Sequence, residues 1–382
     1  MAYTNGKDSD NKKSLVVLQL GGGNDYLNTI VPYENGLYYD NRPSIAHDPE
    51  KLLKIDDELG FRPDLEPLKR LWDEGKMAII HGVGYPEPNR SHFRSMDIWH
   101  TALPEEIGTE GWLGRVIKEM DPKGENVLTG VNFGRGLPRA LAKEGVPVAS
   151  VGDLETYGLL TGIQGEDQRT EALDVFGRMY SPTIGTGYAL DYIRRTGTDA
   201  LKGADILATA PGMYSSDVEY SATAVGQYMK NIAQTHLAGF GTRVLYTTSP
   251  YNGFDTHASQ AQAHSGLWTD VSANVETFVD DLRGHDAMDN VTLLMFSEFG
   301  RRVGDNGSGT DHGAASVAFA IGEHVKGGFY GDYPSLDQDK LIEGGNLEHS
   351  MDFREVYSTI LEDWLHIDPV PIAGNFTKVN FL

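Results

Sequence analysis

Apolar positions fall into two patterns along this chain. Runs at 14–20, 77–81, 242–248 and 290–296 are short, centred on Val, Leu, Ile or Met, and followed by polar or glycine-rich residues. That is the pattern of strands buried in a sheet and ending in loops at its edge. Between the last two runs, Leu267, Val271, Val275, Phe278, Val279 and Leu282 recur at three- and four-residue steps, as one buried helix face requires. Strand, helix, strand in that order predicts an α/β protein. A final helix is predicted over 353–366, with Val356, Ile360, Leu361 and Trp364 turned inward.

One large domain over residues 1–382 accounts for the length, because a core of this size is ordinary for a single fold. Residues 152–221 break the pattern. They are polar and rich in Gly and Thr, with short helical patches such as 170–180, and read as a cap or insertion. The 45 glycines cluster between apolar runs, which suits long functional loops better than a helical bundle.

Charge and composition narrow the chemistry. With 55 acidic against 32 basic residues the net charge is -23, which repels nucleic acid and anionic membranes while leaving room for a local cationic pocket. There is no Cys, so His, Asp, Glu and Asn remain as metal ligands and a thiolate nucleophile is excluded. No run approaches the roughly 20 apolar residues of a membrane span. The start is polar, with neither a twin-arginine motif nor an apolar segment; this fits a cytoplasmic protein, or an exported one whose signal is absent from this chain.

The candidate chemistry lies in loops that follow the predicted strands. After the first run, Gly21-Gly-Gly-Asn-Asp25 places a carboxylate beside glycines that let the backbone approach a ligand, although an Asp in such a turn also serves structure alone. Asp255 and His257, two apart on an irregular turn, can reach one ion; the bland alternative makes them a helix cap and a surface imidazole. His264 is a weaker candidate on the following helix. After the run at 290–296 come Glu298, Arg301 and Arg302, and then Asp311-His312 between glycines. An adjacent Asp-His pair with flexible flanks suits coordination more readily than packing. A guanidinium there can clamp phosphate, sulfate or carboxylate oxygens, or simply pair with one of the many acids. Ser91 and His92 stand at a predicted helix start, where Ser91 serves as cap or as nucleophile.

Taken together, the Gly-Gly-Gly-Asn-Asp-Tyr-Leu-Asn segment, Ser91-His92-Phe93, Phe254-Asp-Thr-His257, Ser297-Glu-Phe-Gly-Arg-Arg302 and Gly309-Thr-Asp-His-Gly313 resemble the sulfatase-like family known as domain of unknown function 1501. The closing segment from Asp352 to Trp364 resembles that family's last helix. The resemblance implies the alkaline-phosphatase superfamily, hence a three-layer α/β/α sandwich around a mostly parallel sheet. It also implies a divalent metal site, zinc first, with manganese, calcium or magnesium as alternatives.

On this likeness Asp25 resembles the superfamily's first aspartate, Asp255 and His257 its Asp/His pair, and Glu298 and His312 its late acid and last histidine. Asp311 is either a further ligand or a group orienting His312. Phe299 departs from the pattern, standing where a second metal-binding histidine is usual. No Ser or Cys lies in the formylglycine pattern of sulfatases. The expected activity is metal-dependent hydrolysis of a small-molecule or glycan phosphate or sulfate ester. Ser91 or a metal-bound hydroxide would attack, His92 would act as acid or base, and Arg301 would hold the anionic oxygens. The alternative is a protein of the same fold that binds an anionic glycan or phosphoester without turnover. Export signals common in the family imply a periplasmic or extracellular home.

Overall fold

The four predicted strands form and line up in one sheet. In the computed structural model, which describes residues 13–154, 166–179, 187–249 and 252–382, they are β1 (Ser14–Gln19), β5 (Met77–Gly84), β8 (Val244–Thr248) and β9 (Val291–Phe296). β6 (Gly130–Phe133), β7 (Ala149–Val151), β10 (Ser316–Ile321), β11 (Gly328–Tyr330) and β12 (Met351–Asp352) complete nine strands among the described residues. Their order is β11-β5-β10-β9-β1-β8-β6-β7, with β12 also on β5. Every pairing is parallel except those of β10, which runs antiparallel to β5 and β9. A separate small sheet holds β2 (Ile30–Pro32), β3 (Leu53–Lys54) and β4 (Leu59–Phe61) in the order β2-β4-β3.

Alternation along the strands feeds two cores. Val16 and Leu18 of β1 face one and Leu15 and Val17 the other. On the first face lie helices Glu66–Asp73, Ala224–Leu237 and Gln260–Gly284, the last burying Val271, Val275, Phe278, Val279 and Leu282 as their spacing predicted. On the second lie His92–Thr101, Trp112–Met120 and Phe353–Thr359. The architecture is therefore mixed α/β, in three layers about a large, mostly parallel sheet.

The closing helix differs from the single element predicted at 353–366. Asp352 and Glu355 form a capping box that starts it, but from Ile360 to Trp364 it widens into a π-turn, where Leu365 N–H donates to the Ile360 carbonyl at 3.0 Å. The wider turn accompanies a bond from Trp364 Nε1 to the Ser14 carbonyl at 3.0 Å, which holds this layer against β1. Within the expected cap at 152–221, helices Glu166–Met179, Tyr188–Leu207 and Ala210–Met213 are present. Residues 155–165 and 180–186 lie outside the described residues.

Register places the site. Gln19 pairs with Thr248 and with Phe296, so β8, β1 and β9 end level with one another and their loops leave from the same carboxyl edge. β5 runs in the same direction, because β10 reverses twice between it and β9. The segment bearing Ser91 and His92 therefore reaches the same edge, where open α/β sheets bind ligands.

Candidate metal centre

Three imidazoles and a carboxylate converge at this edge. His312 Nε2 lies 3.0 Å from Asp255 Oδ1 and 3.0 Å from His257 Nε2. His257 Nε2 is itself 3.0 Å from Asp255 Oδ1, and His92 Nε2 is 3.4 Å from Asp255 Oδ2. His92, Asp255 and His312 together form a group able to hold an ion.

The far side of each ring fixes which nitrogen is free. His92 Nδ1 donates to Glu298 Oε1 at 2.8 Å, His257 Nδ1 to Asp311 Oδ1 at 3.2 Å, and His312 Nδ1 to the Arg90 carbonyl at 2.8 Å. A carboxylate or carbonyl can only accept, so each Nδ1 carries a proton, and the remaining nitrogen, Nε2, is the one each ring turns toward Asp255. A proton could bridge one such pair, but not all four groups at once. His92 Nε2 is buried without a hydrogen-bond partner, which leaves a lone pair directed at nothing but the centre of the cluster. His92, Asp255 and His312 thus fit a divalent cation: two imidazole nitrogens and a carboxylate lie close enough together to share one, His257 Nε2 lies beside Asp255 and His312 as a further donor, and each imidazole is oriented from behind.

Neighbouring charges act on two of these groups. Burial works to raise the Asp255 pKa, but the hydrogen bond and charge of Arg301, the His312 contact and nearby His92 outweigh it and hold the group at about 2. The hydrogen bond to Glu298 raises the pKa of His92 against the opposing effect of burial.

The surrounding loops explain why these groups meet. Gly22 and Gly23 adopt positive φ, 117° and 81°. A Cβ on the first would lie 2.4 Å from Asp255 N and one on the second 2.4 Å from the Phe299 ring. The glycines expected to admit a ligand instead admit neighbouring protein. The Gly22 N–H donates to Glu298 Oε1 at 2.9 Å, tying the β1 loop to the β9 loop. Phe299 is buried, with its ring centroid 4.9 Å from both His92 and His312, so the residue standing where a second metal-binding histidine was expected packs against two imidazoles.

Several expected roles are corrected. His92, expected as acid or base, joins the converging group. Glu298, expected as a ligand, is fully buried behind it, with Oε1 committed to His92 and Gly22. Asp311, expected to coordinate or to orient His312, orients His257 instead. Asp25, expected as a ligand, is buried against Arg42 Nη1 at 2.6 Å and accepts from Gln260 Nε2.

Arg301, expected as an open anion clamp, is buried. Its guanidinium donates to the carbonyls of Gly22, Gly23, Phe254 and Thr310 and, at 2.6 Å, to Asp255 Oδ1. It braces the Asp255 loop rather than facing solvent. His264 is buried in helix Gln260–Gly284, bonded to Arg62 and Asn24, apart from the cluster. Ser91 holds the N-cap position of His92–Thr101 but makes no capping bond, and it is exposed beside His92. Asp255, His257 and His312 lie together. The sequence set His92 apart from the ligand candidates, because the Glu298 carboxylate that orients it comes from a loop 206 residues away.

The family model described as a protein of unknown function, DUF1501, matches residues 183–372. That span includes the Asp255, Glu298 and His312 segments, while the Gly21 and Ser91 segments precede it. No curated protein matches the chain. Among solved structures, the zinc complex of the C-terminal periplasmic domain of EcEptC from Escherichia coli is similar at 11% identity, covering 98% of this chain and 85% of that one, with a TM-score of 0.41. The lipoteichoic acid synthase LtaP from Listeria monocytogenes is similar at 8% identity over 94% of this chain and 72% of that one, with a TM-score of 0.41. A putative sulfatase from Bacteroides thetaiotaomicron is similar at 11% identity over 96% and 76%, with a TM-score of 0.36. Among the described residues no helix is long and apolar enough to cross a membrane. Residues 183–372, the stretch that carries Asp255, His257 and His312, are thus similar to the DUF1501 family of proteins of unknown function.

Proposed function

We propose that this chain is a metal-dependent hydrolase of phosphate or sulfate esters, including esters carried on a carbohydrate. The observation that carries the reading is the convergence of His92, His257 and His312 Nε2 on the Asp255 carboxylate, with each opposite nitrogen held by an acceptor. These four residues would hold one divalent ion, and zinc best matches three imidazoles and one carboxylate without thiolate. When bound, the ion supplies Lewis acidity to an ester oxygen and lowers the pKa of water.

The chain's own residues have separable tasks in this reading. Glu298 and Asp311 keep His92 and His257 in the tautomer that offers Nε2, and the Arg90 carbonyl does the same for His312. Arg301 keeps Asp255 anionic and in place. The N-terminus of helix His92–Thr101 favours anionic oxygens next to His92. Ser91, exposed between Arg90, whose carbonyl accepts from His312, and His92 of the cluster, is the candidate nucleophile. A periplasmic or extracellular site of action accompanies this reading.

The test is elemental analysis of the purified chain beside an Asp311→Ala/His312→Ala variant, followed by turnover of phosphate and sulfate esters. About one equivalent of metal, lost in the variant together with turnover, supports the proposal; no metal in either protein after reloading overturns it. Ser91→Ala then separates two routes, since retained turnover rules out the serine as nucleophile. A second reading, binding without turnover, is favoured by Phe299, an apolar ring packed against two of the imidazoles where a second metal-binding histidine was expected. It predicts retained metal and ligand affinity with no product.

A further inference from the structure

Two consecutive arginines follow Phe299, and their side chains meet opposite fates. Arg301 is buried and committed to five acceptors. Arg302 is half-buried, its guanidinium forms no hydrogen bond or ion pair with another described residue, and its Nε is buried without a partner. In a chain with 55 acidic residues, a guanidinium that takes none of them is a donor left over for something else.

Arg302 lines a cleft of about 270 Å³ together with Asp305, Asn306, Asp311 and Gln338. Two of these residues also touch the metal centre. Asp311 Oδ1 accepts from His257 Nδ1 at 3.2 Å, and Asn306 Nδ2 donates to the His257 carbonyl at 3.0 Å. The Arg302 N–H donates to the Asp311 carbonyl at 3.1 Å, which holds the two residues side by side. Cleft and cluster thus share a wall, and its rim is open, with the Asp311 side chain 53% and the His257 side chain 44% exposed.

The chemistry of the lining selects the occupant. Asp305 and Asp311 outnumber the one guanidinium, so a second anion is repelled, while Arg302 repels a cation. Asp305 is committed to Ser44 and to the Gly307 N–H. Asp311 is bonded through Oδ1 alone. A carboxylate only accepts and a guanidinium only donates, so a neutral group suited to both must offer a donor and an acceptor together. Neighbouring hydroxyls on a sugar ring do so. The volume falls below the roughly 300–1,000 Å³ of sites that enclose whole drug-sized ligands, and suits a single ring.

We infer that this cleft is a sugar subsite, in which Arg302 and Asp311 bind neighbouring hydroxyls of the ring whose ester sits at the metal centre. This rests on the reading of the cluster as an anion-binding metal centre and adds Arg302 as the residue that selects the sugar.

The experiment is calorimetric titration of the full chain, loaded with zinc, for the native sequence and for Arg302→Met. The ligands are the phosphonomethyl C-glycosides of glucose, galactose and mannose, beside cyclohexylmethylphosphonate, which has a ring of the same size without hydroxyls. At least one glycoside is expected to bind the native protein roughly tenfold more tightly than the cyclohexyl compound. That ratio is expected to fall toward unity in Arg302→Met with zinc content unchanged. The lost charge acts on all the phosphonates alike, so the ratio isolates the hydroxyl contacts, and Arg302 makes no side-chain bond on which the fold depends. No glycoside preference, a preference that survives in Arg302→Met, or no binding of any phosphonate overturns the subsite. So does an alkylene diphosphonate that binds more tightly than every glycoside through Arg302, which would assign the cleft to a second anion. Phosphonates are not hydrolysed, so the outcomes separate. A glycoside preference without ester turnover upholds the subsite while hydrolysis fails, and turnover without the preference does the reverse.

Discussion

His257 Nε2 and His312 Nε2 lie 3.0 Å apart, with their opposite nitrogens already donating to Asp311 and to the Arg90 carbonyl. Two lone pairs that close repel unless something positive lies between them. Single replacement of His312 or His257 by Ala is therefore expected to cost more zinc affinity than the roughly 10–100-fold typical of groups that only orient a ligand. Competition with a chromogenic chelator measures it; native-like affinity in both variants would remove these residues from the centre.

Glu298→Gln keeps the shape behind His92 but loses the negative acceptor. Zinc affinity should fall by roughly 10–100-fold while stoichiometry stays unchanged. Complete loss of the metal would instead mean that Glu298 coordinates directly.

Asp25→Asn should leave zinc binding intact and weaken the fold, because the fully buried Arg42 loses its charged partner. Breaking such a pair costs about 3–5 kcal/mol, to be read by urea denaturation with metal content assayed in parallel. A variant as stable as the native chain but unable to bind metal would restore Asp25 to the coordination sphere.

Acid should destabilise the fold before its carboxylates titrate. Burial lowers the pKa of His100 from 6.5 to about 4, and His47, His81 and His236 likewise fall to about 4 with burial as the leading cause. Below pH 6.5 the unfolded chain takes up protons at these positions that the folded chain refuses until about pH 4. Stability is then fully present above that window and declines through it as pH falls, by at most about 1.4 kcal/mol per pH unit for each site. Denaturant midpoints measured across the window check the sign. His100→Gln, which keeps a side chain able to donate to Gln19 where His100 Nε2 now does at 2.9 Å, should reduce the slope by about one proton. An unchanged slope would exclude His100 as a contributor.

The sequence by itself determined what depends on neighbours along the chain. The strand runs around Val16, Ile79, Leu245 and Leu293 and the helix face from Val271 to Leu282 were legible because burial at a fixed period leaves a local trace. β10 left no clear trace: its run ending Val317-Ala-Phe-Ala-Ile321 follows a long polar loop, and its direction is decided by pairing against β5 and β9. Loops rich in Asp and His announced a ligand site, and Asp255, His257 and His312 came from those loops. Which of the neighbouring groups face the centre was decided only by tertiary structure. Arg42 claims Asp25, five acceptors claim Arg301, and His92 interposes itself in front of Glu298. The reason is electrostatic: a buried charge must find its partner within hydrogen-bond reach, and those partners lie on strands and loops distant in sequence, where no spacing rule records them.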